Sequence, residues 1–489
     1  MHSPGYGSQD RSAIRRPVQW APLRRLLVLA LTVLLVGCLA DAPAGRSRNA
    51  ILICMDTVRY DAWELVRKYA PPPPDSGWQR AIHLQRVQST APWTLPAVAS
   101  VFTGLYPNTL GAGVFDSEIA DFSQERPAVL ADAEFVTLAE TLRDAGFATA
   151  SFTASRMFQW AGFRQGFDEE FAVGGVNSRH KIVRDVTSWL DRNTGEASDR
   201  RFFLYLHFME AHRHPRHVGA KRLAARMAET PPALIEAARA AAPGGSCTKA
   251  GADCDRWLHY VVAVLVIRNA ISELLSDLEA RGLLSETSIA LFADHGEEFF
   301  DHLELSRSRG LDPRGQYGVG HGHTLFQEQL HVPVVLWHPG LSPRDVDAPV
   351  SLADLTATLL EWLAVEAPSG QGVALGPVLA GGDFDPERPL FSSAVAFGPR
   401  REAVLKGDRK LLSGGGSAPD LTFELDGDPR EERPLGRAAE DLDSLLDGYR
   451  RQRSAVRPAA PIDAETLREL QALGYLEKAQ PTPDAPEPE

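Results

Sequence analysis

The sequence predicts an α/β protein in which a mostly parallel central sheet carries helices on both faces and a smaller antiparallel subdomain follows. Three observations predict it. Continuous apolar runs at residues 50–55, 288–293 and 332–337 have the length of strands buried on both faces. Segments with helical apolar spacing alternate with such runs, the pattern of a sheet wound by crossover helices. Beyond about residue 369 the composition loosens to Gly, Pro and Asp between brief apolar segments at 403–405 and 421–425.

A chain of 489 residues exceeds one core at roughly 150 residues per domain. The pattern divides it into a large domain at 49–368 with an insertion at 212–255, a C-terminal subdomain at 369–479, and a proline- and acid-rich tail at 480–489 whose composition favours disorder. The formal net charge of -13 sets 51 Lys and Arg against 64 Asp and Glu. That field disfavours a polyanion, so nucleic acid is not an expected partner, while a local pocket for one phosphate or sulfate group stays compatible with it.

Arg11, Arg15, Arg16, Arg24 and Arg25 precede an apolar run at 26–36, too short to cross a hydrocarbon core of roughly 30 Å comfortably. Residues 1–37 therefore read as a signal peptide. Leu35-Val36-Gly37-Cys38 resembles the bacterial lipoprotein cleavage box, which implies a lipid on Cys38, a tether at 38–48 and attachment to a membrane. The alternative is a plain signal peptide or an uncleaved anchor. Each version places the body in the bacterial cell envelope, facing the periplasm or the exterior. Cys54, within an apolar run, reads as a small buried thiol. Cys247 and Cys254 bracket a polar segment and could close a short disulfide loop in an oxidising compartment, or, less simply, ligate a metal.

In chain order, 50–55 is the first buried strand and ends at Asp56. Residues 71–79 form a proline-led loop, and 92–104 pass from loop to helix. A helix at 135–146 stops at Gly146, a strand follows at 147–153, a helix at 182–190 and a strand at 202–208. The insertion contains a helix at 220–229, broken by Pro231 and Pro232, and could form a lid beside a site. A long helix at 260–279 ends near Gly282. The strand at 288–293 ends in another acid, Asp294, and the strand at 332–337 and helix at 354–363 complete the large domain.

Acids that follow buried strands lie at the carboxyl ends of the sheet, where such folds build their sites. Asp56 and the pair Asp294-His295 would be costly to bury together unless a cation neutralised them, so a divalent metal is expected if the strand ends are adjacent. Taken singly, Asp56 could cap a turn and His295 could brace backbone. Thr94 stands before an apolar helix, where unpaired N–H groups and the helix dipole favour an anion. Coordination to a metal would lower the pKa of its hydroxyl and orient it for attack, and the plainer alternative is a threonine N-cap.

Several motifs occur in order. They are Asn49-Ala50-Ile51-Leu52-Ile53-Cys54-Met55-Asp56-Thr57-Val58-Arg59, Trp93-Thr94-Leu95-Pro96 through Phe102-Thr103-Gly104-Leu105-Tyr106-Pro107, and Asp294-His295-Gly296-Glu297-Glu298-Phe299. Gly320-His321-Gly322-His323-Thr324-Leu325-Phe326, Leu330-His331-Val332-Pro333, Leu425-Asp426-Gly427-Asp428-Pro429 and Leu473-Gly474-Tyr475-Leu476 follow. Across 49–476 this set resembles the sulfatase branch of the alkaline phosphatase superfamily. The resemblance implies an alkaline-phosphatase-like three-layer α/β/α fold. It implies Asp56, Thr94, Asp294 and His295 as the residues around one divalent metal (Ca, Mg, Mn or Zn), Thr94 being also the nucleophile; no similarly complete second metal set is matched. By the same resemblance His207 positions or protonates an oxygen of the transferring or leaving group, and His321 contacts the substrate anion. His302, His212 and His323 either border the pocket or brace loops, and Arg59 is either a partner of Asp56 or a helix-start residue.

Two departures bear on chemistry. Formylglycine sulfatases carry Cys or Ser, then x-Pro-Ser-Arg, whereas this chain has Thr94-Leu95-Pro96-Ala97-Val98. Threonine cannot yield the aldehyde made from cysteine or serine. Valine at 98 supplies neither charge nor hydrogen bond to an anion. The expected function is an exported metal-dependent hydrolase or transferase acting through Thr94 on a small phosphate, phosphonate or sulfate ester or an anionic headgroup or glycan, with phosphoryl-type chemistry favoured. The competing reading is a noncatalytic, lipid-tethered binding or assembly protein that keeps the fold, with or without the metal.

Overall fold

The computed structural model describes residues 46–472 apart from short stretches at 116, 118, 123–126, 131–133, 156, 174–177, 196–197, 199, 213–219, 250, 416–417, 437–438 and 455–461. The signal peptide, Cys38, the tail and the motif at 473–476 lie outside the described residues.

The described residues form sixteen strands: β1 (Asn49–Met55), β2 (Ile82–Gln88), β3 (Ile119–Asp121), β4 (Ala148–Thr153), β5 (Glu169–Ala172), β6 (Phe202–Phe208), β7 (Thr287–Phe292), β8 (Glu298–Phe299), β9 (Val319–Gly320), β10 (Val334–Trp337), β11 (Arg344–Ser351), β12 (Leu390–Ser392), β13 (Phe397–Pro399), β14 (Ala403–Lys406), β15 (Arg409–Leu412) and β16 (Leu421–Glu424). The large sheet has eight strands in the order β11-β2-β10-β7-β1-β6-β4-β5. β1 pairs in parallel with β6 and β7, β4 with β5 and β6, and β11 with β2. β10 alone runs against its neighbours β2 and β7. Helices Tyr60–Tyr69, Ser178–Asn193 and Ala252–Ala280 pack together, and Thr94–Thr103, Leu138–Asp144 and Asp354–Trp362 form a second group, giving three layers. With helices on both faces, every residue of β1, β6 and β7 is buried, which is why their sequences are unbroken apolar runs.

The structure adds what the apolar pattern hides. β2 carries His83, Gln85, Arg86 and Gln88, and the edge strand β11 carries Arg344, Asp345 and Asp347. Half-solvated strands at one side of the sheet need no continuous apolar run, so neither was legible. The long helix begins at Ala252, eight residues before the expected start. Asp253 and Asp255 occupy its first turn, where they complement the helix dipole, and they mask the apolar periodicity that starts at Trp257. The helix expected at 135–146 runs only from Leu138 to Asp144, because Thr137 and Glu140 form a capping box that sets its first turn.

The smaller sheet is antiparallel, in the order β12-β14-β15-β16. A buried charge network ties it to the large domain. Lys410 Nζ lies 2.7 Å from Glu431 Oε1 and donates to Leu325 O at 2.6 Å, while Glu431 Oε2 accepts from Gln327 N at 2.6 Å. His302 meets Glu328 Oε1 at 3.0 Å and its ring stacks on Phe326 at 3.8 Å. Of the two readings of His302, the structure shows the brace. The pairing keeps these buried charges from standing alone, which would cost several kcal/mol each, at about 3–5 kcal/mol for a broken pair. Cys247 and Cys254 form a disulfide at the start of the long helix, and Cys54 is a buried free thiol. Among the described residues no helix is long and apolar enough to cross a membrane.

Candidate metal centre

β1 and β7 are hydrogen-bonded neighbours, so the residues that follow them emerge side by side at the carboxyl end of the sheet. Asp56, Asp294 and His295 are fully buried there, and each offers a ligand atom within 4.8 Å of the others. His295 Nδ1 donates to Gly296 O at 2.9 Å, which leaves the Nε2 lone pair on the inner side, 3.7 Å from Asp56 Oδ1 and 3.5 Å from Asp294 Oδ2. Gly296 is required by space: a Cβ there would meet Glu328 O at 2.0 Å.

The two acids are held differently. Asp294 Oδ1 accepts from Thr57 N at 3.1 Å and His295 N at 2.9 Å, but buried Oδ2 has no hydrogen-bond partner. Burial and the adjacent Asp56 carboxylate raise its pKa against the pull of His295 and His207. Burial also pushes Asp56 up, but His212, His207 and His295 outweigh it and hold Asp56 well below the usual carboxylate range. An Asp-Asp-His set with an orphaned inward oxygen suits a hard or borderline divalent cation, so the residues fit the metal the sequence implied.

Thr94 is the first residue of the helix Thr94–Thr103; its N-cap is Trp93, so Thr94 does not serve as the cap. Its Oγ1 lies 3.3 Å from His295 Nε2. The helix ends on Gly104 at φ 69, a left-handed C-cap that a side chain would strain. Ala97 and Val98 are fully buried, and Val98 belongs to the apolar core.

The histidines sort themselves by their partners. His207 on β6 is enclosed: a carboxylate only accepts, so His207 Nε2 donates to Asp56 Oδ2 at 2.9 Å, and Nδ1 accepts from the Tyr205 hydroxyl at 2.9 Å. His321 Nδ1 donates to Glu297 Oε2 at 2.8 Å, and its ring lies 4.4 Å from that of His295. His212 comes within 5.0 Å of the His321 ring. Burial lowers the His212 pKa to about 3, with Asp56 opposing and His321 adding to the fall. His323 pairs with buried Glu298 at 2.8 Å, away from this cluster of rings. Arg59 does not touch Asp56. Its guanidinium bonds Asp61 and Asp301 and Glu297 O, locking the first helix to the loop that carries His295.

Thr57 and Glu297 escaped the sequence reading. Thr57 holds φ 64, a costly conformation for a β-branched residue, and from it bonds both acids: N–H to Asp294 and Oγ1 to Asp56. Tyr260 O–H donates to Thr57 O at 2.8 Å and secures that turn. Adjacency to Asp56 and to Asp294-His295 was the available signal for these residues.

A buried acid pair and histidine beside a helix-start threonine, at the carboxyl end of a three-layer α/β/α sheet, give the fold a candidate metal-binding triad. The sulfatase family model matches residues 48–365, and the chain belongs to that family. Arylsulfatase K of Xenopus laevis is 28% identical over 112 residues, covering 22% of this chain and 18% of that protein; the match thus spans under a fifth of the relative's length. Among solved structures, the phosphonate monoester hydrolase of Agrobacterium radiobacter superposes with TM-score 0.59 at 18% identity, covering 88% of this chain and 96% of that one. A protein solved in complex with its substrate D-glucosamine-2-N,6-O-disulfate gives TM-score 0.60 at 16% identity, covering 83% and 98%. At these identities the likeness shows the fold.

Proposed function

We propose that the protein is an exported, metal-dependent hydrolase or transferase that acts on small phosphate, phosphonate or sulfate esters through Thr94, with phosphoryl-type transfer favoured. The observation that carries this is the Thr94 hydroxyl at 3.3 Å from His295 Nε2, beside a buried carboxylate oxygen with no hydrogen-bond partner. Asp56, Asp294 and His295 would hold the metal, which when bound lowers the pKa of a neighbouring hydroxyl and neutralises charge on a phosphoryl or sulfuryl group.

Thr94 Oγ1 gives its proton to a neutral imidazole of the site and attacks the phosphorus or sulfur in line with the leaving oxygen, forming an ester as the leaving-group bond breaks. The first-turn N–H groups of its helix and the paired rings of His212 and His321 face the anionic oxygens, and because burial favours the neutral form of both rings, the imidazole that takes the Thr94 proton is the one that passes it to the departing alcohol. His207 keeps Asp56 oriented through Nε2 and thus acts on the centre from behind it. Transfer to water gives hydrolysis, and transfer to another alcohol gives group exchange. The threonine supports this route over the formylglycine one, and the activity named for the structurally similar phosphonate monoester hydrolase of Agrobacterium radiobacter agrees with it. The disulfide suits export to an oxidising compartment.

Core packing of Val98 supports the second reading, a noncatalytic binding or assembly protein, because that helix position offers no anion contact. Purified parent and Thr94→Ala, assayed on phosphomonoester, phosphodiester, phosphonate and sulfate esters with Mg, Mn, Zn or Ca, separate the two. The expected result is turnover by the parent that falls by about three orders of magnitude or more in the variant. Equal turnover rejects Thr94 as nucleophile, and no turnover by the parent on any substrate favours the binding protein.

A further inference from the structure

A cavity of about 320 Å³ lies at the end of the sheet opposite the metal centre. His83, the second residue of β2, lines it; β2 runs in the direction of β1, whose far end carries Asp56. Its volume falls within the roughly 300–1,000 Å³ of small-ligand pockets. The walls are apolar: Trp63, Val66, the prolines 72–74 and Trp78, with the two indoles 5.8 Å apart and tilted by 44°. Trp78 is pinned by its Nε1, which donates to Ser272 Oγ at 2.8 Å, one turn beyond Arg268 on the long helix.

Into this apolar setting the protein places polar nitrogens that find nothing to bond among the described residues. Arg268 Nε and Nη1, Trp63 Nε1 and His83 Nδ1 are buried nitrogens without a hydrogen-bond partner. Arg268 is 6% exposed and Trp63 is 2% exposed. Burial lowers Arg268 to about 10, and no carboxylate opposes the fall. Burial, with Arg67 adding to it and Asp345 opposing, lowers His83 to about 4, so the imidazole is neutral at neutral pH. Arg67, the other arginine of the lining, is engaged by Glu64 and Asp345. Among the described residues the cavity therefore holds one uncompensated positive charge, and leaving a buried charge or donor unpaired is among the costlier arrangements in a folded protein.

We propose that this cavity is a second binding site, separate from the metal centre, for a small organic monocarboxylate with a flat apolar body. The carboxylate pairs with Arg268 and accepts from the indole N–H of Trp63, while the body covers the indole and proline walls. A single charge matches a single arginine. A phosphate or sulfate dianion would bring a second charge with no partner and no apolar body to fill the walls.

The test is titration of the full chain with 2-naphthoate, followed by calorimetry and tryptophan fluorescence, beside 2-naphthylmethanol, inorganic phosphate and sulfate. The expected result is binding of 2-naphthoate by the parent, equally by Thr94→Ala, and weaker by at least about tenfold for Arg268→Met and for the neutral alcohol. A thermal melt of Arg268→Met at or above that of the parent shows that the loss is not misfolding, and Arg268→Lys recovers part of the affinity. The proposal fails if the parent does not bind 2-naphthoate at about 10 mM, if Arg268→Met binds as tightly, or if phosphate or sulfate binds as well.

Discussion

Replacing Asp294 by asparagine separates the cost of this centre without metal from its gain with metal. In the parent, Asp294 Oδ1 accepts from Thr57 N and His295 N, while Oδ2 faces His295 Nε2 at 3.5 Å with no donor. An asparagine oxygen in the Oδ1 position keeps both bonds, and its NH₂ can donate to His295 Nε2. The substitution also removes a buried negative charge beside Asp56. Without metal the variant should therefore be more stable by about 1–3 kcal/mol. At ~2.1 cal/mol/K per residue, 489 residues carry an unfolding entropy of about 1 kcal/mol/K, so this is a rise of ~1–3 °C.

With metal the order changes. A metal at about 100 times its Kd stabilises the parent by ~2.7 kcal/mol, roughly 3 °C on the same scale, whereas a variant that has lost a charged ligand gains little. Scanning calorimetry in EDTA and then in Mg, Mn, Zn or Ca reads both numbers. An equal metal-induced shift in parent and variant, or a variant less stable in EDTA, would refute the assignment of Asp294 as a charge held for a cation.

Two further outcomes follow from the same physical terms. Burial lowers the His302 pKa, but Glu328, Glu431 and Asp301 outweigh it and raise it to about 10. A raised folded-state pKa stabilises fully below the unfolded value of about 6.5 and is lost as pH climbs toward 10. The melting temperature of the parent should therefore fall relative to His302→Gln over that window, and parallel pH curves for the two would exclude His302 as a charged brace. For Cys38, metabolic lipid labelling should mark the parent and not Cys38→Ala; an unlabelled mature parent would oppose lipid attachment.

The recognition of Asp56, Asp294 and His295 as one site depended on pairing two apolar runs that each end in an acid. That inference works because strands buried on both faces must be apolar throughout, and because parallel strands end on the same side of the sheet. The same logic passed over β2 and β11, whose polar residues interrupt the apolar run, and it assigned the long helix a start eight residues late. His207 and His212 show the limit more sharply. Both follow from one stretch of sequence, and nothing local distinguishes a ring enclosed between Tyr205 and Asp56 from one that stands beside His321.

By itself the sequence determined the layered α/β architecture, the position of Asp56 and Asp294-His295 after buried strands and that of Thr94 at a helix start, since each depends on residue type and short-range spacing; the ligand set came from the family resemblance, and the pairing of Cys247 with Cys254 stayed open until the structure showed the disulfide. Tertiary structure alone decided the partners of His207, His302, His321 and His323, the role of Arg59 as a brace between the first helix and the His295 loop, and the strained Thr57 that binds both acids. It also decided that Arg268 points unpaired into an aromatic cavity. These are contacts between segments up to some hundreds of residues apart, and their direction and distance are set by packing, which no local pattern encodes.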